Sequence, residues 1–236
     1  AFVAAVVADI VARVGSGQFP IFAVPSYPVP PLAALPIFAL LGISAGLLGV
    51  VFNRSLLAVT ELYARIPARL TLAAAALTGA LVGLVGWFSP VMIGSGHTLA
   101  ETALRGDMLL GAIPLFFLIR FVLTAASYGT GAPGGIFAPM LVLGALLGLA
   151  VGEIAHQFYP AAVPFPAVFA VVGMAAYFTA IVRAPLTGIM LILEMTGNYN
   201  QMLPLLVACF CSYAAAEFMK DLPIYEALLE RDLRRS

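Results

Sequence analysis

Charged residues are scarce in this chain: Asp, Glu, Lys and Arg together form 9% of its 236 residues, whereas 63% are hydrophobic. Soluble domains carry roughly 25% charged residues, so the composition excludes an ordinary soluble fold. The mean hydropathy of +1.08 indicates an integral membrane protein. Because its 11 basic and 11 acidic residues cancel, the chain lacks the excess positive charge that attracts nucleic acid, and we expect no nucleic-acid partner.

Cysteine and histidine are equally rare, with two of each. Cys209 and Cys211 stand two positions apart, where a helix directs them to different faces, so we expect neither a disulfide nor a metal site. The histidines, His97 and His156, form no HExxH motif. One alternative stays open, a membrane-embedded hydrolase in which Ser95 uses His156 as its base. The glycines around Ser95 fit a turn at a helix boundary as well, and we therefore expect no enzyme and no catalytic residue.

Uncharged or nearly uncharged runs predict the membrane segments. They cover residues 32–52, 70–92, 108–129, 136–152, 164–182, 184–195 and 201–216. A helix needs about 20 apolar residues to cross the hydrocarbon core, and several of these runs are shorter. Prolines begin or interrupt the runs in the last third of the chain, so we expect half-helices that start and stop inside the bilayer.

The segment Gly131–Pro139, GAPGGIFAP, lies in a stretch without charge or histidine that extends from Phe121 to Gly152. Its three glycines and two prolines forbid an unbroken spanning helix there. The residues that follow predict a helix with Pro139 in its first turn, where the missing N–H is harmless. The N-terminus of that helix would direct unpaired N–H groups and a partial positive charge into the cavity that the loop creates. The segment therefore predicts an anion site.

Three ionisable residues, Arg120, Arg183 and Glu194, lie in otherwise apolar runs. Charges at membrane depth are costly and mark functional sites. Arg183 precedes a helix break and Glu194 lies near a polar turn, so we favour structural pairing or snorkelling for all three.

Glycines four residues apart recur along the chain, and small residues at this spacing allow membrane helices to approach closely. We expect such helix packing at Gly42 and Gly46, at Gly79 and Gly83, and at Gly144, Gly148 and Gly152.

The stretch GAPGGIFAPM, together with residues 173–206 and 223–229, closely resembles the C-terminal half of the CLC family of chloride channels and chloride/proton exchangers, and bacterial members above all. The three motifs stand in the family's order, and the resemblance covers nearly the whole chain. It implies an all-α integral membrane protein, multi-pass, with the CLC-type inverted-repeat fold, re-entrant half-helices and a separate anion pathway in each subunit of a homodimer. In a bacterium the location would be the inner membrane.

The resemblance also divides the chain. Residues 1–14 would be the last helix of the first repeat, 15–31 an extramembrane loop on the surface, 32–220 the second repeat and 221–236 a C-terminal helix on the cytoplasmic side. The family motifs GSGIP and GREGP, which supply further anion ligands and a gating glutamate, do not occur here. The N-terminal half of the same protein is therefore an expected partner, and the lipid bilayer surrounds both.

In the family, the motif that matches Gly135–Pro139 opens a helix whose backbone N–H groups coordinate chloride. In this chain those N–H groups belong to Ile136 and Phe137. The tyrosine that matches Tyr225 directs its hydroxyl at the same ion. The whole selectivity-filter motif comprises Gly135, Ile136, Phe137, Ala138 and Pro139. The resemblance implies transport of chloride without a cofactor, by a channel or by exchange for protons, and a fluoride-selective exchanger is an alternative within the family.

Overall fold

The computed structural model describes residues 2–17, 20–22, 24–132 and 134–233, and every regular element in these ranges is a helix. The all-α prediction is confirmed. The α-helices, in chain order, are α1 (Phe2–Ser16), α2 (Leu35–Ala64), α3 (Ala68–Phe88), α4 (His97–Arg105), α5 (Ile113–Gly129), α6 (Phe137–Phe158), α7 (Ala167–Val182), α8 (Pro185–Thr196), α9 (Met202–Phe218) and α10 (Ile224–Leu233).

Five helical stretches are long and apolar enough to cross a membrane. They are Leu32–Ala64, Arg69–Phe88, Leu110–Gly129, Phe137–Phe158 and Tyr199–Phe218. The shorter helices α7 and α8 have 16 and 12 residues. At 1.5 Å per residue they rise about 24 and 18 Å, less than the roughly 30 Å of the hydrocarbon core. Both helices are therefore too short to cross the hydrocarbon core, as is expected of half-helices that start and stop inside the bilayer.

The helix α2 extends well beyond the apolar run 32–52 that predicted it and ends only at Ala64. Residues 54–64, which include Arg54 and Glu61, continue the same helix. No glycine or proline interrupts it between Asn53 and Ala64. The ion pair between Glu61 and Arg65, 2.6 Å apart, supports its last turn. The helix α2 therefore has an apolar first half and a second half that carries charged residues.

Two buried aromatic side chains attach the mostly exposed loop before α2 to the helices. Phe22 is 4% exposed, stacks on His97 with ring centres 4.7 Å apart, and donates its N–H to the Met195 carbonyl. The Tyr27 hydroxyl donates to the Leu104 carbonyl at 2.8 Å. Burial, and secondarily Asp107, raise the pKa of Tyr27. Residues 18, 19 and 23 of this loop lie outside the described ranges.

The centre of the fold is the contact between α6 and α7, where backbone meets backbone. A Cβ atom added at Gly148 would collide with the Phe169 carbonyl, and one at Gly144 would lie 2.5 Å from the Gly173 carbonyl oxygen. Gly152 meets the backbone of Pro166 in the same way. The predicted close packing is thus confirmed for this glycine row, which holds α7 against the helix that bears the motif.

The two other glycine pairs differ in what surrounds them. Gly42 and Gly46 face the backbone and small side chains of α9, as expected. A Cβ at Gly79 or Gly83 would meet nothing within 4 Å among the described residues, so a helix contact at this pair stays a prediction. The spacing is the same in both cases, and only the position of the neighbouring helix differs.

Candidate anion-binding site

The helix α6 begins as its sequence predicts. Ile136 is its N-cap, with φ −90° and ψ −8°, and Pro139 lies in the first turn. The first helical hydrogen bond runs from the Met140 N–H to the Ile136 carbonyl at 3.0 Å. Within the described ranges, no carbonyl accepts from the N–H groups of Ile136, Phe137 or Ala138. Pro133, the fourth residue before Phe137, lies outside these ranges.

A cavity of about 230 Å³ adjoins this helix N-terminus. Gly134, Gly135, Ile136 and Pro139 form one wall. The facing residues include the hydroxyl-bearing side chains Thr124, Ser127 and Tyr128, the segment Met92–Gly94, and Arg120. The volume accommodates several water molecules, each of which fills roughly 30 Å³ in the liquid. A small, partly hydrated anion therefore fits between the helix N-terminus and these polar groups.

Arg120 contributes a positive charge to the wall of this cavity. Its side chain is 4% exposed, and its guanidinium donates to the carbonyls of Met92 at 2.7 Å and Gly94 at 2.6 Å. These bonds confirm the structural pairing that we favoured. In the part of the chain that the structure describes, no carboxylate lies within 4.0 Å of the guanidinium, and Nε has no hydrogen-bond partner. The charge therefore adds to the positive potential of the helix N-terminus.

The sequence did not predict that Arg120 shares a cavity with the motif. The sequence showed a lone arginine in an apolar run. That signal makes Arg120 a candidate functional residue, but it does not show which residues lie beside it in the fold. Arg120 meets Met92 and Gly94, which precede it by more than twenty residues, through the packing of α5 against the turn before α4.

Phe137 lines a second cavity, which is mostly apolar. Its ring meets Phe178 edge to face, with centres 5.9 Å apart. This cavity has a volume of about 170 Å³ and is lined by Phe137 and Ala138 together with Phe22, His97, Leu141 and Met195, among others. Apolar surroundings screen the N–H dipoles weakly, so their attraction for an anion is stronger than it would be in water.

Tyr225 lies in the first turn of α10 and is 51% exposed. None of the contacts or cavities in the described ranges brings it together with Ile136 or Phe137. Its contribution to the anion site stays a prediction.

Arg183 and Glu194, the other ionisable residues of the apolar runs, are both paired. Arg183 donates to the carbonyls of Ala216 at 3.0 Å and Asp221 at 3.1 Å. Glu194 accepts a hydrogen bond from the Tyr199 hydroxyl at 3.3 Å. The structural pairing predicted for them is confirmed.

Ser95 and His156, the pair of the hydrolase alternative, lie far apart. Ser95 lies beside Phe137 at the start of α6, whereas His156 lies in the last turn of α6 and contacts the Val163 carbonyl at 2.7 Å. Nineteen helical rises of 1.5 Å place the two ends about 28 Å apart, so His156 cannot act as the base of Ser95. Both cysteines are free, as expected. Within the described ranges, no group of three His, Cys, Asp or Glu side chains could hold a metal ion.

We expect the substitution Arg120→Met to destabilise the protein, because it leaves the Met92 and Gly94 carbonyls without their donor. A buried acceptor that loses its partner costs roughly 1–3 kcal/mol. Thermal unfolding in detergent, followed by light scattering, measures the effect. Arg105→Met, on the exposed side of α4, is the control, and equal melting temperatures for the two variants would contradict the structural role of Arg120.

Helices long enough to span a membrane, two shorter apolar helices and a helix N-terminus beside a cavity with polar groups define a class, the multi-pass proteins that transport ions. The family model described as voltage gated chloride channel matches residues 1–217. The chain belongs to this family and is therefore part of an integral membrane protein.

Curated relatives and solved structures agree with this assignment. The chain is 39% identical over 235 residues to the H(+)/Cl(-) exchange transporter ClcA of Vibrio cholerae serotype O1 (strain M66-2), which covers 98% of this chain and 50% of the relative. ClcA of Salmonella paratyphi A (strain ATCC 9150 / SARB42) is 37% identical over 238 residues, covering 99% of this chain and 50% of the relative. The chain thus spans about half the length of the curated relatives it matches.

The crystal structure of a slow cyanobacterial Cl-/H+ antiporter is similar to this structure, with a TM-score of 0.93 at 38% identity, over 98% of this chain and 54% of the other. A CLC-type fluoride/proton antiporter has a TM-score of 0.70 at 16% identity, over 88% of this chain and 50% of the other, and shares the fold alone. The predicted CLC-type fold is confirmed.

Proposed function

We propose that the protein containing this chain exchanges chloride for protons across a membrane. The observation that carries the proposal is the N-terminus of α6, where Ile136 lines a cavity walled by Arg120 and Phe137 follows as the first helical residue. The names of the curated relatives and of the cyanobacterial antiporter support the choice of ions.

The ligand chemistry suits transport rather than tight binding. Backbone N–H groups are neutral donors that replace part of the hydration shell of an anion, and they hold it less firmly than a lysine or arginine in direct contact would. The guanidinium of Arg120 is occupied by the Met92 and Gly94 carbonyls, so it raises the local potential while its terminal nitrogens are already engaged. Such a site admits chloride and also releases it.

The proposal includes the remaining expectations about the assembly. Residues 1–14 belong to the first repeat, 32–220 form the second, and the N-terminal half of the protein supplies the other ligands and the proton pathway. The protein forms a homodimer and needs no cofactor. The match of this chain to about half of each curated relative supports the division into halves.

Flux measurements on the reconstituted protein test the function. Proteoliposomes loaded with chloride are diluted into low-chloride buffer, and a chloride electrode and an external pH electrode record the two ions together. We expect chloride efflux to drive proton uptake against a proton gradient, with empty liposomes as the control. Chloride efflux without proton movement would identify a channel, and the absence of efflux would overturn the proposal.

For Tyr225 we expect a loss of chloride affinity on removal of the hydroxyl. Tyr225→Phe and Tyr225→Ala should both weaken binding by about five- to tenfold, because one neutral hydrogen bond contributes about 1 kcal/mol. Isothermal titration calorimetry with chloride measures the affinity. Tyr199, which is 57% exposed and pairs with Glu194, offers a matched control in Tyr199→Phe. Unchanged chloride affinity in both Tyr225 variants would exclude the hydroxyl as a ligand.

A further inference from the structure

The turn between α9 and α10 is held in an unfavourable backbone conformation. Lys220 has φ +50°, in the left-handed region that side chains other than glycine and asparagine avoid. A short turn of this kind persists when its surroundings hold it in place. The next residue, Asp221, has a side chain that is only 11% exposed, and three more positions lead to α10.

The α2 helix reaches this turn through two adjacent residues. The side-chain amide of Asn53 donates to one carboxylate oxygen of Asp221 at 3.2 Å, and Nε of Arg54 donates to the other at 3.2 Å. The same Asn53 amide lies 3.4 Å from the Leu222 carbonyl, and Arg54 also donates to the Met219 carbonyl at 3.4 Å. Asn53 is itself 1% exposed. Both oxygens of one carboxylate are thus engaged by one helix.

The α7 helix reaches the same turn through its C-cap, Arg183. One terminal nitrogen of Arg183 donates to the Asp221 carbonyl at 3.1 Å and to the Ala216 carbonyl of α9 at 3.0 Å. Asp221 therefore connects three helices, because its carboxylate bonds to α2, its carbonyl bonds to α7, and its chain continues α9. Charge-assisted hydrogen bonds of this kind are about twice as strong as neutral ones.

These contacts determine how α10 docks. Ile224, the first residue of α10, is completely buried, and near the other end Arg231 donates to the Thr60 carbonyl of α2 at 3.2 Å. Tyr225 follows Ile224 directly and is half exposed. The direction of its side chain depends on where the turn places the first helical residue, since a helix projects each side chain from a fixed angle.

We propose that Asp221 is a positioning residue for anion binding, which sets the location of the Tyr225 hydroxyl by fixing the α9–α10 turn to α2 and α7. The inference rests on the proposed function, because it assigns to Asp221 an effect on chloride that passes through Tyr225. A residue that merely supports the fold would lower stability, and its effect on chloride would be independent of the tyrosine.

A double-mutant cycle separates these possibilities. Chloride affinity is measured by calorimetry for Asp221→Ala, Tyr225→Ala, the double variant and the unsubstituted protein. We expect Asp221→Ala to weaken chloride binding about fivefold, within the range for one hydrogen bond, and to have no further effect once Tyr225 is alanine. Glu226→Ala, an exposed carboxylate in the first turn of the same helix, is the control and should leave affinity unchanged.

Asp221→Asn provides a second variant should alanine prevent folding. Its amide oxygen still accepts from Arg54, so we expect a smaller loss of affinity that again vanishes in the Tyr225→Ala background. Normal affinity in both Asp221 variants, or losses that simply add to that of Tyr225→Ala, would overturn the positioning role. If the Asp221 variants give such a result while the unsubstituted protein binds and transports chloride, only the positioning role of Asp221 is overturned. If the unsubstituted protein binds no chloride, the positioning role and the proposed function are both overturned.

Discussion

The substitution Gly148→Val is expected to destabilise the protein more than any other single change considered. A Cβ atom at this position would collide with the Phe169 carbonyl and would lie 2.9 Å from the Ala170 Cα. Both obstacles are backbone atoms, which cannot rotate away as a side chain can, so α6 and α7 must separate. Overpacking of a core costs about 1–3 kcal/mol when side chains can adjust, and we expect at least the upper figure here.

The melting temperature in detergent and the fraction of monodisperse protein on gel filtration measure this effect. Gly79→Val provides a matched control, because a Cβ there meets nothing within 4 Å among the described residues. It lies in α3, so both substitutions replace a helical glycine by the same β-branched residue. Similar melting temperatures for the two variants would show that the contact between α6 and α7 is not limiting for stability.

The substitution Gly135→Val should have the opposite profile, with little effect on stability and a large effect on transport. A Cβ at Gly135 meets nothing within 4 Å among the described residues, and Gly135 forms part of the wall of the 230 Å³ cavity. The valine side chain would therefore project into open space before the α6 N-terminus. An anion that is kept from the N–H groups of Ile136 and Phe137 gives up its water without compensation.

We expect chloride efflux from proteoliposomes to fall by at least about tenfold, which corresponds to 1.4 kcal/mol of lost stabilisation. The melting temperature in detergent should stay near that of the unsubstituted protein. Gly111→Val serves as the control, because a Cβ there also meets nothing within 4 Å in the part of the chain that the structure describes, and Gly111 does not line the cavity. Normal efflux in Gly135→Val would show that the anion path does not pass this wall.

Local patterns predicted the parts of the site that belong to one stretch of chain. Pro139 restricts the backbone before it and lacks an N–H, so the start of α6 near Ile136 followed from a few neighbouring residues. The apolar runs predicted the helices for the same reason. The length of α2 was missed because charges after Asn53 looked like the end of a membrane segment, although nothing in the backbone ends the helix there.

Contacts between distant residues had no such local signal. Asp221 bonds to Asn53 across more than half of the chain, and neither residue stands in a motif that indicates the other. The two glycine rows on α3 and α6 have the same spacing, yet within the described ranges only the row on α6 touches a neighbouring helix. Small residues permit a close approach but do not determine which helix makes it.

The sequence by itself determined the class of the protein and the start of the anion-directed helix, because composition and the restrictions of proline and glycine act within a few residues. The tertiary structure alone decided that Arg120 shares a cavity with that helix and that Asp221 joins α2, α7 and α9 at the turn before Tyr225. Hydrogen bonds of these kinds need donor and acceptor about 3 Å apart, and helix packing alone brings such distant residues within that distance.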